Sequence, residues 1–154
     1  MKKNYKMKLS KQSIVDCVLN YGCNGGWIAE TLDYIKQHDG LQLESSYPYH
    51  AARGTCSAKR SRFGPIRGYG RVTSNDEEDM KIHLNLYGPL VIGMDAKQLQ
   101  FLGSGPSNIL DTLACTKTLN HAVVIVGYGT HNGQDYWCMY FLSFFIFLNR
   151  ILFF

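Results

Sequence analysis

The stretch LNHAVVIVGYG, residues 119–129, decides the fold. Its centre, Ala122 to Val126, is apolar and largely β-branched, which suits a strand buried on at least one face. An imidazole, His121, stands at the mouth of that run. A side chain that titrates near neutral pH is costly to bury without a purpose or a partner. Working outward, Thr130-His-Asn-Gly133 has turn chemistry and leads into Asp135-Tyr-Trp137, which predicts a hairpin. Upstream, Leu90 to Met94 reads as another strand, with a loop from there through Cys115.

The earlier half of the chain has helical periodicity instead. Ser10 is placed to cap a short helix through Asp16, with Ile14 and Val15 turned inward. YGCNGG follows as a loop whose adjacent glycines permit close backbone approach. Ile28, Leu32 and Ile35 recur at i, i+4 and i+7 and predict a helix over 27–38, ended by Gly40. Residues 41–68 are punctuated by Pro48, Gly54, Gly64 and Pro65 and read as irregular. Ser74-Asn-Asp-Glu77 fits a capping box, and Met80, Leu84 and Tyr87 give the stripe of a third helix, stopped by Gly88-Pro89. Helices first and strands later predict an α+β fold.

Composition bounds the function classes. The 154 residues are 45% hydrophobic and 18% charged, a globular balance. Net charge is +4, from basic residues at Lys2, Lys3, Lys6, Lys8 and Lys11 and again at Arg53, Lys59, Arg60, Arg62, Arg67 and Arg71. No nucleic-acid-binding module accompanies them, so they read as solvated surface charge and no nucleic-acid partner is expected. None of the five cysteines forms a C-x-x-C pair, which disfavours zinc-ribbon and thioredoxin readings; no metal or cofactor is expected. MKKNYKMKLS lacks the apolar core of a signal peptide. From Tyr136 the chain reads YWCMYFLSFFIFLNRILFF. A membrane helix needs about 20 apolar residues, and Asn149 and Arg150 interrupt this run after about a dozen. Membrane attachment is therefore marginal, and residues 138–154 read as an aberrant tail translated from AT-rich DNA.

Taken together, LSKQSIVDC, YGCNGG, SSYPY, GPLVIGMDA, LNHAVVIVGYG and DYW resemble the papain family of cysteine peptidases, in that family's order and spacing over residues 9–137. The resemblance implies a two-lobed fold, helical on one side and β-barrel-like on the other, with a cleft between them. Residues 1–66 would be the remainder of the helical lobe and 67–137 the β-rich lobe. It implies acyl transfer, in which a Cys thiolate attacks a peptide carbonyl, a His takes and returns the proton, and an Asn orients the His. Backbone and Gln N–H groups stabilise the oxyanion.

His121 matches the catalytic His. Gly25 and Gly26 match glycines whose backbone pairs with an extended substrate, a mode that bulky side chains would block. Trp27, Ile28, Gly93 and Leu119 fall where the family lines the pocket for the residue two before the scissile bond, so an apolar side chain should be preferred. Asn120 falls where the family uses a main-chain carbonyl. Cys17 and Cys56 match a family disulfide, while Cys23, Cys115 and Cys138 are expected to be unpaired. Expected partners are a polypeptide substrate or a cystatin-like inhibitor, and the expected compartment is lysosomal or extracellular.

Other family residues have no counterpart in the 154 residues. The nucleophile belongs in a C-G-S-C-W run about 130–150 residues before the His, and counting back from His121 passes Met1. No Q-x-x-x-C-G-S-C-W run occurs, and Phe141 stands where the orienting Asn is expected. The central catalytic helix and the last strands are thus expected to be missing. Without that helix, Ile28, Leu32 and Ile35 lose a partner, at about 1.5–3 kcal/mol per side chain left unburied. An inactive, poorly folded chain is the expectation, with a non-catalytic peptide- or inhibitor-binding relative as the alternative.

Overall fold

In the computed structural model the described residues are 7–19, 22–60, 63–97, 99, 109–110, 116, 118–141 and 144–148. Cys115 and the last residues of the apolar run, 149–154, lie outside them. The fold is α+β and divides into two compact units, Met1–Gly70 and Arg71–Phe154.

The first unit is held by polar groups. Helix α1, Lys11–Cys17, starts at Ser10, whose hydroxyl accepts from the Ser13 N–H at 3.0 Å and donates to the Tyr47 carbonyl at 2.7 Å. Its buried face is Gln12, Ser13 and Asp16, whereas Ile14 and Val15, predicted to point inward, are only half-buried. The reason lies in the loop over residues 47–57. The Asp16 carboxylate accepts from the Gly54 N–H at 2.7 Å, the Gln12 amide at 2.8 Å and the Tyr47 hydroxyl at 2.9 Å. Gln12 in turn donates to the Ala52 carbonyl at 2.7 Å and accepts from the His50 N–H at 3.1 Å. A buried polar face of this kind survives because its members are hydrogen-bonded. Beside it the Cys17–Cys56 disulfide closes, with Cα atoms 4.8 Å apart.

A single 3₁₀ turn, Gly22–Asn24, precedes helix α2, Ile28–Gln37. Trp27 and His38, predicted as the helix ends, are its caps. No residue of α2 is fully buried, and Ile28, Leu32 and Ile35 are half-covered. Gly40 follows at φ 116°, and an added Cβ would stand 2.0 Å from the Phe63 carbonyl oxygen. Leu41 bridges Phe63 there, so this turn requires glycine for conformation and for room.

The second unit has the apolar core. Helix α3, Glu77–Tyr87, is capped by Asp76, whose carboxylate accepts from the Asp79 N–H at 2.9 Å. The cap is therefore two residues later than Ser74, because Thr73 and Asp76 close a turn first, through the Asp76 N–H to the Thr73 carbonyl. Met80 and Leu84 are buried, but Tyr87, expected in the same stripe, is 76% exposed. Gly88 at φ 88° ends the helix.

Among the described residues five strands follow: β1 Leu90–Met94, β2 Ile109–Leu110, β3 His121–His131, β4 Gln134–Phe141 and β5 Phe144–Leu148. Their order across the sheet is β1-β3-β4-β5-β2, antiparallel except for β2 with β5. Asn132 and Gly133, at φ 50° and 77°, make the two-residue turn of the β3–β4 hairpin. Alternate residues of β1, β3 and β4 face α3: Ile92, Met94, Val123, Ile125, Trp137 and Met139 pack with Met80 and Leu84.

β4 continues through residues 138–141, where the sequence reads as the start of an aberrant tail, and Met139 is wholly buried. Truncating that side chain tests the placement. Met139→Ala is expected to destabilise the second unit by about 2–5 kcal/mol, read from urea unfolding followed by Trp137 fluorescence. A loss within error of zero shows that these residues are not part of the sheet.

Candidate active site

His121 opens β3, and β1 fixes where it stands. The two strands pair antiparallel with Met94 opposite His121 and Gly93 opposite Ala122. One step earlier the Asn120 N–H donates to the Met94 carbonyl at 3.1 Å. The imidazole is therefore mounted at the end of a paired strand, where the backbone gives it little freedom. The ring is half-buried and its Nε2 is shielded from solvent. Burial holds its pKa below the ordinary histidine value, because the charged form gives up more hydration than the neutral form.

Asn120 is the polar link between the strands. Its Oδ1 accepts from the Ala96 N–H at 2.7 Å and its Nδ2 donates to Asp95 Oδ1 at 3.0 Å. The sequence reading assigned only the main chain of this residue; the side chain is equally engaged. Leu119 lies over Gly93: a Cβ on Gly93 would stand 3.1 Å from Leu119 Cδ1, so any larger residue would press on that leucine. Gly93, Leu119, Asn120 and His121 thus form one contiguous surface of the second unit.

The other predicted substrate residues belong to the first unit. Gly25 takes φ 116°, which L side chains rarely adopt, although open space surrounds its Cβ direction. Conformation, not room, is what makes glycine necessary there. Gly26 lies outside the positive-φ region and is exposed. Trp27 is 58% exposed, and its carbonyl accepts from the Thr31 N–H and hydroxyl at 3.2 and 3.1 Å as α2 begins. Ile28 is half-buried. Cys23 and Cys138 are free thiols, exposed and half-buried respectively, and burial pushes the Cys138 thiol up, away from the reactive thiolate.

One residue of the second unit was not singled out from sequence. Asp95, which follows the last residue of β1, is 6% exposed. The Thr116 hydroxyl, then the N–H groups of Thr116 and Lys97, hold its carboxyl well below the usual carboxylate range against the opposing effect of burial; Asn120 adds to them. The signal in the sequence was a carboxylate directly after a buried strand, LVIGMD, a position that demands partners.

Residues 1–140 match the family described as papain family cysteine protease. Digestive cysteine proteinase 1 of Homarus americanus is 34% identical over 136 residues, covering 85% of this chain and 42% of that protein. The structure of digestive procathepsin L 3 of Tenebrio molitor larval midgut is similar at a TM-score of 0.82 and 33% identity, over 94% of this chain and 50% of that one. The bromelain protease of Ananas comosus, solved in complex with the E64 inhibitor, gives a TM-score of 0.77 and 33% identity over 97% of this chain and 72% of that one. The chain spans less than half the length of the curated relatives it matches.

The pKa directions set a two-stage acid response. With the folded value of His121 lowered, the unfolded chain binds the proton more readily. Stability present above about pH 6.5 is therefore lost as pH falls through the unfolded value. The carboxyls of Asp95 and Asp16 are lowered too. Burial alone would raise Asp16, but the Gly54 N–H, the Tyr47 hydroxyl and the Gln12 amide outweigh it. Their stabilisation is present above about pH 3.9 and is lost below it. Urea unfolding across this range is expected to show both stages in the wild-type chain and only the lower one in His121→Gln. An unchanged upper stage in that variant assigns it to another group.

Proposed function

Because the chain belongs to the papain family of cysteine proteases, we propose that it is the part of a peptide-hydrolysing enzyme that supplies the general base, His121. The observation that carries this reading is the mount of that imidazole. It stands in register with Met94, shielded and held toward its neutral form, the state in which it can take a proton. In the proposed reaction a cysteine gives its proton to the ring and its sulfur attacks the peptide carbonyl carbon. The carbon–nitrogen bond then breaks as the imidazolium protonates the leaving amine, and water releases the acyl group.

In the second unit Gly93 and Leu119 provide an apolar wall, and an apolar side chain two before the scissile bond is the proposed preference; in the first unit, taken by itself, the Gly25–Gly26 loop offers exposed backbone to an extended peptide. The relatives named as digestive proteinases support a lysosomal or extracellular setting for the family. The bromelain complex with E64 supports inhibitors as partners, and cystatin-like proteins are the class we propose.

The 154 residues contain no Q-x-x-x-C-G-S-C-W run, and Phe141 occupies the expected position of the orienting Asn. This stretch by itself is therefore proposed to hydrolyse nothing. Under reducing conditions it is expected to leave a fluorogenic dipeptide amide intact; hydrolysis that disappears in His121→Ala would falsify that expectation. Joined behind a papain-type segment that bears the nucleophile, it is expected to give hydrolysis that His121→Ala lowers by about 10²–10⁴-fold. An equal rate in that variant removes His121 from the mechanism. A non-catalytic peptide-binding role is the second reading, favoured by Phe141 at the position where the orienting Asn is expected, and peptide-dependent stabilisation of the 154-residue chain is its signature.

A further inference from the structure

We propose that Asp95 is a positioning residue of this site: it holds the chain that leads into His121, including Leu119, while the β1–β3 pairing holds His121 from the strand side. For its catalytic meaning this rests on the reading of His121 as the general base; the positioning itself does not.

Thr116 and residues 118–120 lead into His121, and the Asp95 carboxylate holds both Thr116 and Asn120. At the start, Thr116 gives Asp95 Oδ2 its hydroxyl at 2.6 Å and its N–H at 2.9 Å. At the finish, Asn120 gives Oδ1 its side-chain amide at 3.0 Å. The same Thr116 hydroxyl oxygen accepts from the Thr118 N–H at 3.3 Å, so the middle of the segment is tied to the same anchor. The Lys97 N–H completes the set on Oδ1 at 3.1 Å. Asn120 closes the clasp by accepting from the Ala96 N–H and donating its own N–H to the Met94 carbonyl. Residues 94–97, 116 and 118–120 are thereby bound around one nearly buried carboxylate. His121 is the next residue, and Leu119, within the clasp, is the one that meets Gly93.

The chemistry calls for a carboxylate. Four donors converge on two oxygens, and an ionised Asp is acceptor-only with room for about four such bonds. An amide of the same shape must turn its NH₂ toward either Thr116 or the Lys97–Asn120 pair, setting donor against donor on one side. Asp95→Asn therefore releases one end of the segment while leaving the volume unchanged.

The test uses the whole 154-residue chain with ¹³C-labelled histidine, the His121 ring signal being identified by its loss in His121→Gln. In Asp95→Asn that signal is expected to move and to broaden or split, while the Trp137 indole signal, within the core, stays where it was. Thr116→Val, which removes one tie and leaves the carboxylate, is expected to move the His121 signal less. An unchanged His121 signal in Asp95→Asn overturns the proposal. If Asp95→Asn loses the Trp137 signal and so has unfolded, Thr116→Val decides alone: a moved His121 signal supports the proposal, an unchanged one overturns it. Failure of the catalytic reading looks different, as hydrolysis by the joined enzyme that survives His121→Ala, and it leaves the ring signals of both variants untouched.

Discussion

The pairing of β1 with β3 is the constraint on which the second unit depends. Five cross-strand pairs, from Leu90 with Ile125 to Met94 with His121, lock the two strands in one register. Side chains alternate across a strand, so a slip of β3 by one residue would turn Val123 and Ile125 away from α3. The same slip would put Ala122 opposite Met94 and carry His121 past the end of the ladder. The apolar core and the placement of the imidazole are therefore one decision, made by the same hydrophobic alternation.

Among the described residues each unit also contains one nearly buried carboxylate around which irregular chain is folded. Asp16 organises the loop over 47–57 against α1, and Asp95 organises the approach to His121. In both places the segment being held lacks regular secondary structure, so its backbone N–H groups have no ladder to join. A carboxylate that accepts backbone N–H groups together with side-chain donors meets that need at one point, and the donors hold its pKa down. The second unit adds an apolar core to its hub; in α1 the polar network is itself the buried face.

What was legible in the sequence follows from this division. β3 and the hairpin after it were legible because a β-branched apolar run followed by the turn residues Thr130 to Gly133 is a local signal. α2 was legible from its 3.6-residue stripe. The burial of Gln12, Ser13 and Asp16 in place of Ile14 and Val15 was not, because the partners of that face are contributed from about forty residues away. Asp95 was missed for the same reason: Thr116 and Asn120 are remote from it in sequence. The cap of α3 moved from Ser74 to Asp76 because two oxygen-bearing side chains compete at a helix start, and the preceding turn at Thr73 chooses between them. β4 outran its prediction because a run of aromatic and apolar residues has no alternation to mark where a strand ends, while pairing with β3 continues to Tyr140.

The direction of the His121 shift bears on how such a site works. Burial alone lowers the pKa and keeps the ring neutral at neutral pH, the form in which it can accept a proton. An anionic sulfur placed opposite would act in the other sense, because a neighbouring negative charge favours the imidazolium. On the proposed reading the ring is thus balanced between two effects of opposite sign. The shielding is contributed by the fold of this chain, and the charge arrives only with the nucleophile. A Coulombic effect of that kind falls off with separation, so its size depends on how well the ring is held. On the same proposed reading the clasp around Asp95 serves the chemistry: a ring free to swing would weaken its pairing with the thiolate before any bond was made.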